Sequence, residues 1–127
     1  MSDESYFQTD GSSRFLNDDE KRLIRVLLDR SEGISLPDNW LDCVRVVPMS
    51  DGGMGSVKFL SSSSNEMASQ IAEINFRDAD GVEVVASLNA DKNGNPFELD
   101  IWKVDFSPLI KIPDFFDEIR SGGNSTS

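Results

Sequence analysis

The 127-residue chain contains no histidine and a single cysteine, Cys43. Histidine is the usual general base near neutral pH and the commonest metal ligand. Without it, a Ser-His-Asp triad, a Cys-His dyad and the common zinc sites are excluded. One thiol cannot pair within the chain, so there is no disulfide framework. No apolar run approaches the ~20 residues that span a bilayer. The first thirteen residues are polar and acidic, without the basic and apolar regions of a signal peptide. The expectation is a cytoplasmic protein that carries no cofactor and no catalytic or metal-binding residues.

Basic residues are also scarce. There are 12 Lys and Arg against 23 Asp and Glu, for a net charge of −11. Nucleic-acid affinity rests on Lys and Arg contacts to phosphate, so that partner is disfavoured. Anionic membrane surfaces are disfavoured for the same reason. A basic protein partner is favoured, because opposite fields raise encounter rates and suppress wrong pairings. The plainer reading of the acidity is solubility alone.

The size fits one domain able to bury a core without staples. Residues 1–13 and 121–127, rich in Ser, Gly, Asn and Thr, read as disordered tails around a domain at 14–120. Asn17 followed by Glu20 is a variant capping box, and Asp18, Asp19 and Glu20 complement the helix dipole. Leu23, Ile24, Leu27 and Leu28 recur at helical spacing. Arg22, Arg25 and Asp29 mark the solvated side, and Gly33 ends the helix, predicted at about 18–30. A connector over 34–41 follows, with Trp40 plugging one end of the core.

The period then switches to two. Strands are predicted at 43–49, 57–60, 72–77, 82–89 and 97–104, separated by turns at 51–55, 78–81 and 91–95 and a Ser-rich loop at 61–69. Asn93-Gly94 is a strong hairpin signal. Pro113 opens a possible short C-terminal helix through Arg120. The expected class is α+β: an N-terminal helix packed on an antiparallel meander of about five strands.

Three motifs give way to structural readings. Asp91, Asn93 and Asn95 open like a calcium loop, but its sixth and twelfth positions hold Pro96 and Trp102, so a hairpin turn is expected. The glycine-rich 51–55 lacks the Gly-Lys-Ser/Thr of a phosphate loop and reads as a bulged turn, with Met54 at its tip as an exposed apolar contact. Cys43, inside an apolar strand, reads as a buried structural thiol.

The far sheet face is more informative. If Ala72, Ile74, Phe76, Val84, Ala86, Leu88, Phe97, Leu99 and Ile101 face the helix, their neighbours point outward. Four carboxylates, Glu73, Glu83, Glu98 and Asp100, then surround Trp102 as a docking patch. The competing reading is an ordinary solvated face with Trp102 covered by Phe106, Phe115 and Phe116. Lys103 falls on the inward set, so a bulge or the strand's end must release it.

Two stretches, residues 47–56 (VPMSDGGMGS) and 97–109 (FELDIWKVDFSPL), together with 72–81 (AEINFRDADG), resemble a family of small uncharacterised bacterial proteins. The resemblance covers about 14–113. Some such proteins sit beside contact-dependent or polymorphic toxins and resemble their immunity partners. The resemblance implies an intracellular bacterial domain without transferable catalytic residues. The expected function is an immunity protein that neutralises a cognate toxin, basic and nuclease-like, through Glu73, Glu83, Glu98, Asp100 and Trp102. The alternatives are a general protein-interaction or regulatory module and a small carboxylate-dependent enzyme; the oligomeric state is left open.

Overall fold

In the computed structural model the described residues are 13–31, 34, 36–62 and 66–116. Gly33, residues 117–120 of the expected terminal helix, and all of both tails except Ser13 lie outside them.

The first helix begins where the capping chemistry requires. The Asn17 side chain accepts the Glu20 N–H at 2.8 Å, and the Glu20 carboxylate accepts the Asn17 N–H at 3.0 Å. Both halves of the box open α1 (Asp18–Arg30). Arg14 grips the same Glu20 through two guanidinium bonds of 2.7 and 2.8 Å, tying the preceding strand to the helix start. Leu23, Ile24 and Leu27 are fully buried. Replacing Asn17 with Ala removes one half of the box and should cost about 1 kcal/mol. A lower urea midpoint at unchanged slope would show it; an unmoved midpoint would mean the cap contributes nothing.

Among the described residues six strands form one sheet: β1 (Arg14–Phe15), β2 (Arg45–Pro48), β3 (Val57–Phe59), β4 (Ser69–Arg77), β5 (Glu83–Ala90) and β6 (Pro96–Lys103). All pairings are antiparallel, in the order β1-β2-β3-β6-β5-β4. The α+β class stands, with one strand more than the alternation suggested. β1 is only two residues long, too short to show a period. β3 pairs with β6 rather than with its successor, so the meander is broken once. β4, β5 and β6 remain a run of tight hairpins. The second of these is closed by Asp91, whose carboxylate accepts the N–H groups of Asn93 and Asn95 and the Ser62 hydroxyl. These donors, the Ser62 hydroxyl foremost and against the push of burial, hold the Asp91 carboxyl below its ordinary value.

α1 lies across β4 and β5 on one face. Beneath it are Ala72, Ile74, Phe76, Val84, Ala86, Leu88, Leu99 and Ile101. The segment after β6 completes this layer. Ile112 is buried in the core, and Phe116 meets Phe76 edge-on at 5.5 Å. Arg22, expected on the solvated side, instead donates to the carbonyls of Ile112 and Pro113 at 3.0 and 2.9 Å. Gly53 supplies a close approach. Its φ is +86°, its carbonyl accepts the Leu109 N–H, and an added Cβ would lie 3.2 Å from the Pro108 Cβ. Trp40 plugs the other end of the core against Phe59, ring centroids 5.3 Å apart.

Four local expectations are corrected. Cys43 is exposed, in the last turn of a short helix, α2 (Trp40–Cys43), rather than buried in a strand. The ladder of β2 starts only at Arg45, because Val44 N–H still bonds back to the Trp40 carbonyl. Residues 113–116 form no helix. Phe97 is buried but outside the main core cluster, because the register slips between Asn89 and Ala90, where β5 meets β6. Its ring lies 4.7 Å from the Lys58 ammonium.

The fourth correction is Lys103, which is not released from the inner face. It is fully buried. Its ammonium donates to Asp78 and Asp80, each at 2.8 Å, and to the Pro108 carbonyl at 3.2 Å. Asp78, equally buried, also accepts the N–H groups of Ala79, Ile110 and Lys111. An inward lysine is thus satisfied by the β4–β5 turn and the chain that follows its own strand.

Candidate protein-docking face

The register places all five candidate residues on the face opposite α1. On β6, Leu99 and Ile101 point into the core, so Glu98, Asp100 and Trp102 point away. Their neighbours follow from the pairing. Asp100, Ser87 and Glu73 form one row across three strands. Trp102, Val85 and Asn75 form the next. Lys58, Glu98 and Asn89 form the row on the other side. Rows are ~7 Å apart along a strand and strands ~4.8 Å apart. Asp100 and Glu98 therefore flank one side of Trp102, while Glu83 lies beyond it, opposite Arg77. Glu73, on the outer strand β4, stands at the rim.

Trp102 is 42% exposed and Phe106 68% exposed. Their rings touch, with centroids 6.1 Å apart. Phe106 has φ +65°, a left-handed backbone that a residue with a Cβ adopts at a cost. The turn after β6 holds it there, through its N–H on the Lys103 carbonyl at 2.8 Å. Of the aromatics expected to cover Trp102, only Phe106 reaches it. Phe116 packs against Phe76 within the helix-side layer, and Phe115 is exposed.

The carboxylates are held differently. Asn75 donates to Glu83 at 2.6 Å, Gln70 to Glu73 at 3.1 Å, and the Ser56 hydroxyl to Asp100 at 3.3 Å. Glu98 is half-buried and accepts the Asn89 amide at 3.1 Å. That leaves the buried Asn89 Oδ1 without a partner among the described residues. Burial pushes the Glu98 carboxyl above its ordinary 4.5; Asn89 and Lys58 oppose the push and Asp100 adds to it. Lys58 is buried beside it, and burial lowers its pKa against the pull of Glu98 and Asp91.

A carboxyl whose folded pKa is raised is one whose ionisation weakens the fold. Glu98→Gln should therefore melt above wild type at pH 7. The gain should fade as pH falls through 4.5 and vanish well below it, where the wild-type carboxyl is protonated in both states. A variant less stable than wild type at pH 7 would refute this.

The alternation of outward residues was legible in the sequence. Lys58, paired with Glu98, and Arg77, which alternates with Asn75 and Glu73 on β4, set two cations among the four carboxylates that the acidic patch alone does not include. The pattern Val57-Lys58-Phe59 already carried that signal. Met54, expected as an exposed contact, is half-buried, and its sulfur accepts the Lys103 N–H at 3.3 Å. A cavity of about 210 Å³ lies elsewhere, lined by Leu28, Ile34, Leu36, Pro37, Trp40 and Leu41, with one carboxylate, Asp38. No described helix is long and apolar enough to cross a membrane.

The model of a protein family described as a domain of unknown function, DUF6984, matches residues 13–113. The match runs from the residue before β1 to just past the buried Ile112, so it takes in the whole sheet, α1 and the segment after β6 as far as Pro113. No curated protein and no solved structure matches the chain. The chain belongs to the DUF6984 family.

Proposed function

We propose that this DUF6984 domain works by binding a basic protein through the sheet face opposite α1, and that it acts as an immunity protein toward a toxin. One observation carries the reading: an exposed Trp102–Phe106 pair sits on the face opposite α1, beside Glu98 and Asp100. Large aromatics anchor interfaces once desolvated, and surrounding charges steer and select. Two features of the face work against stability: the left-handed Phe106 and the half-buried, charged Glu98. Such locally costly groups concentrate at functional sites. The net charge of −11 extends the attraction to any cationic partner. For a nuclease toxin, the carboxylates would occupy the groove that otherwise holds substrate phosphates. Binding rather than catalysis also fits the chain's lack of histidine.

The test begins with the gene's neighbourhood: a toxin reading frame directly upstream is expected, its absence counts against the immunity role, and the toxin domain it encodes is co-expressed with this chain. Wild type should restore growth. The Glu98→Lys/Asp100→Lys double variant should associate roughly 10- to 100-fold more slowly, from lost steering, and fail to protect. Full protection by a folded double variant would remove this face from the interface.

A further inference from the structure

β4 forms one edge of the sheet. From Ala72 to Arg77 it pairs residue for residue with β5, and its one irregularity lies earlier, between Gln70 and Ala72. The phase of the ladder follows from two main-chain bonds. Asp78 N–H reaches the Val82 carbonyl at 2.9 Å, and Val104 N–H reaches the Glu83 carbonyl at 3.0 Å. Bonded and non-bonded pairs alternate in an antiparallel ladder. Ala72, Ile74 and Phe76 therefore bond to β5, while residues 73, 75 and 77 turn their main-chain groups to the outer edge.

Glu73 and Arg77 sit four residues apart on this edge, both exposed and on the same face. We propose that two copies of the chain pair antiparallel through β4, about a two-fold axis at residue 75, with each Glu73 opposite the other copy's Arg77. The same axis sets Ile74 opposite Phe76. Each of the three outward residues then meets another outward residue, for about six main-chain hydrogen bonds. Charge selects this register. An axis at residue 74 sets Glu73 against Asn75 and Arg77 against Ile71, and an axis at residue 73 sets Glu73 against Glu73, a like-charge pair. The irregularity at Gln70 and Ala72 ends the regular edge on one side, and the 78–81 turn ends it on the other, so the contact is short. The charge of −11 on each copy opposes association, an effect screened beyond about 8 Å at 0.15 M salt.

Sedimentation velocity on the full chain alone, from about 1 µM to about 1 mM in 0.15 M salt, tests this without the basic partner. The expected result is a concentration-dependent dimer. Arg77→Glu or Glu73→Arg alone should raise its dissociation constant about tenfold, by turning both symmetric pairs repulsive. The double swap Glu73→Arg/Arg77→Glu should restore it. Circular dichroism checks that each variant folds, which separates lost pairing from lost structure. A wild type that stays monomeric to about 1 mM overturns the proposal, as does a dimer indifferent to the single reversals. A folded double swap that fails to recover pairing rejects the register.

Discussion

Lys103→Met is expected to lower the melting temperature by more than about 10 °C. Lys103 has three donors, and all three are used: Asp78, Asp80 and the Pro108 carbonyl. Methionine keeps the apolar stem and removes only the ammonium. What remains is the Asp78 carboxylate, with no side-chain exposure and no cation to match it. Breaking one half of a buried pair is far more destructive than removing both halves, because it strands a charge. Lys103→Met/Asp78→Asn should therefore melt above Lys103→Met alone, and this non-additivity is the signature of the pair.

The pH dependence has a definite sign. Burial pushes the Asp78 carboxyl up, but the Lys103 ammonium and the N–H groups of Ile110, Lys111 and Ala79 outweigh it and hold it below its ordinary 3.8. Its contribution is present above that value and lost as pH falls through the folded pKa. Lys103 is the mirror case. Burial pushes it down, but Asp78 and Asp80 raise it above 10.5, so its contribution is lost only as pH rises past that range. The difference between wild type and Lys103→Met should be widest near neutral pH and narrow as pH falls, from the point where the variant's stranded Asp78, no longer held down by Lys103, takes up a proton. A single variant melting within about 3 °C of wild type at pH 7 would show the node to be dispensable.

Phe59→Ala is expected to cost about 3–5 kcal/mol, the range for removing a fully buried phenylalanine. Phe59 has no exposed surface and stands between Val46 of β2 and the Trp40 ring. β3 has only three residues, and its register with β6 rests on Val57–Leu99 and Lys58–Glu98. The β1–β2–β3 half of the sheet thus depends on packing more than on ladder length. Urea unfolding followed by Trp40 fluorescence, with Trp102 replaced by Phe, reads the loss on that half directly. A cost below about 1 kcal/mol would mean the site collapses to fill the space.

Local chemistry made much of this fold legible. The Asn17–Glu20 box fixes the start of α1 and the spacing of Leu23, Ile24 and Leu27 its buried face, because capping and period involve neighbours in sequence. Asn93-Gly94 and Asp80-Gly81 mark turns for the same reason. The alternation along β6 assigns Glu98, Asp100 and Trp102 to one face, since side chains in a strand alternate whatever the partner. The exposure of Cys43 was not legible, because four residues of helix fit inside an apolar stretch without leaving a period. The place of Phe97 was not legible, because a register slip depends on the strand opposite.

The sequence by itself determined the helix, the turns, the outward set and the acidic field, all properties of residues close together along the chain. Only the tertiary structure decided that β3 lies beside β6, that Asp78 and Asp80 surround Lys103, and that β4 ends the sheet with Glu73 and Arg77 at its rim. Those outcomes join residues tens of positions apart. They are settled by which arrangement buries the apolar face while leaving no charge unmatched, and no local pattern encodes that balance.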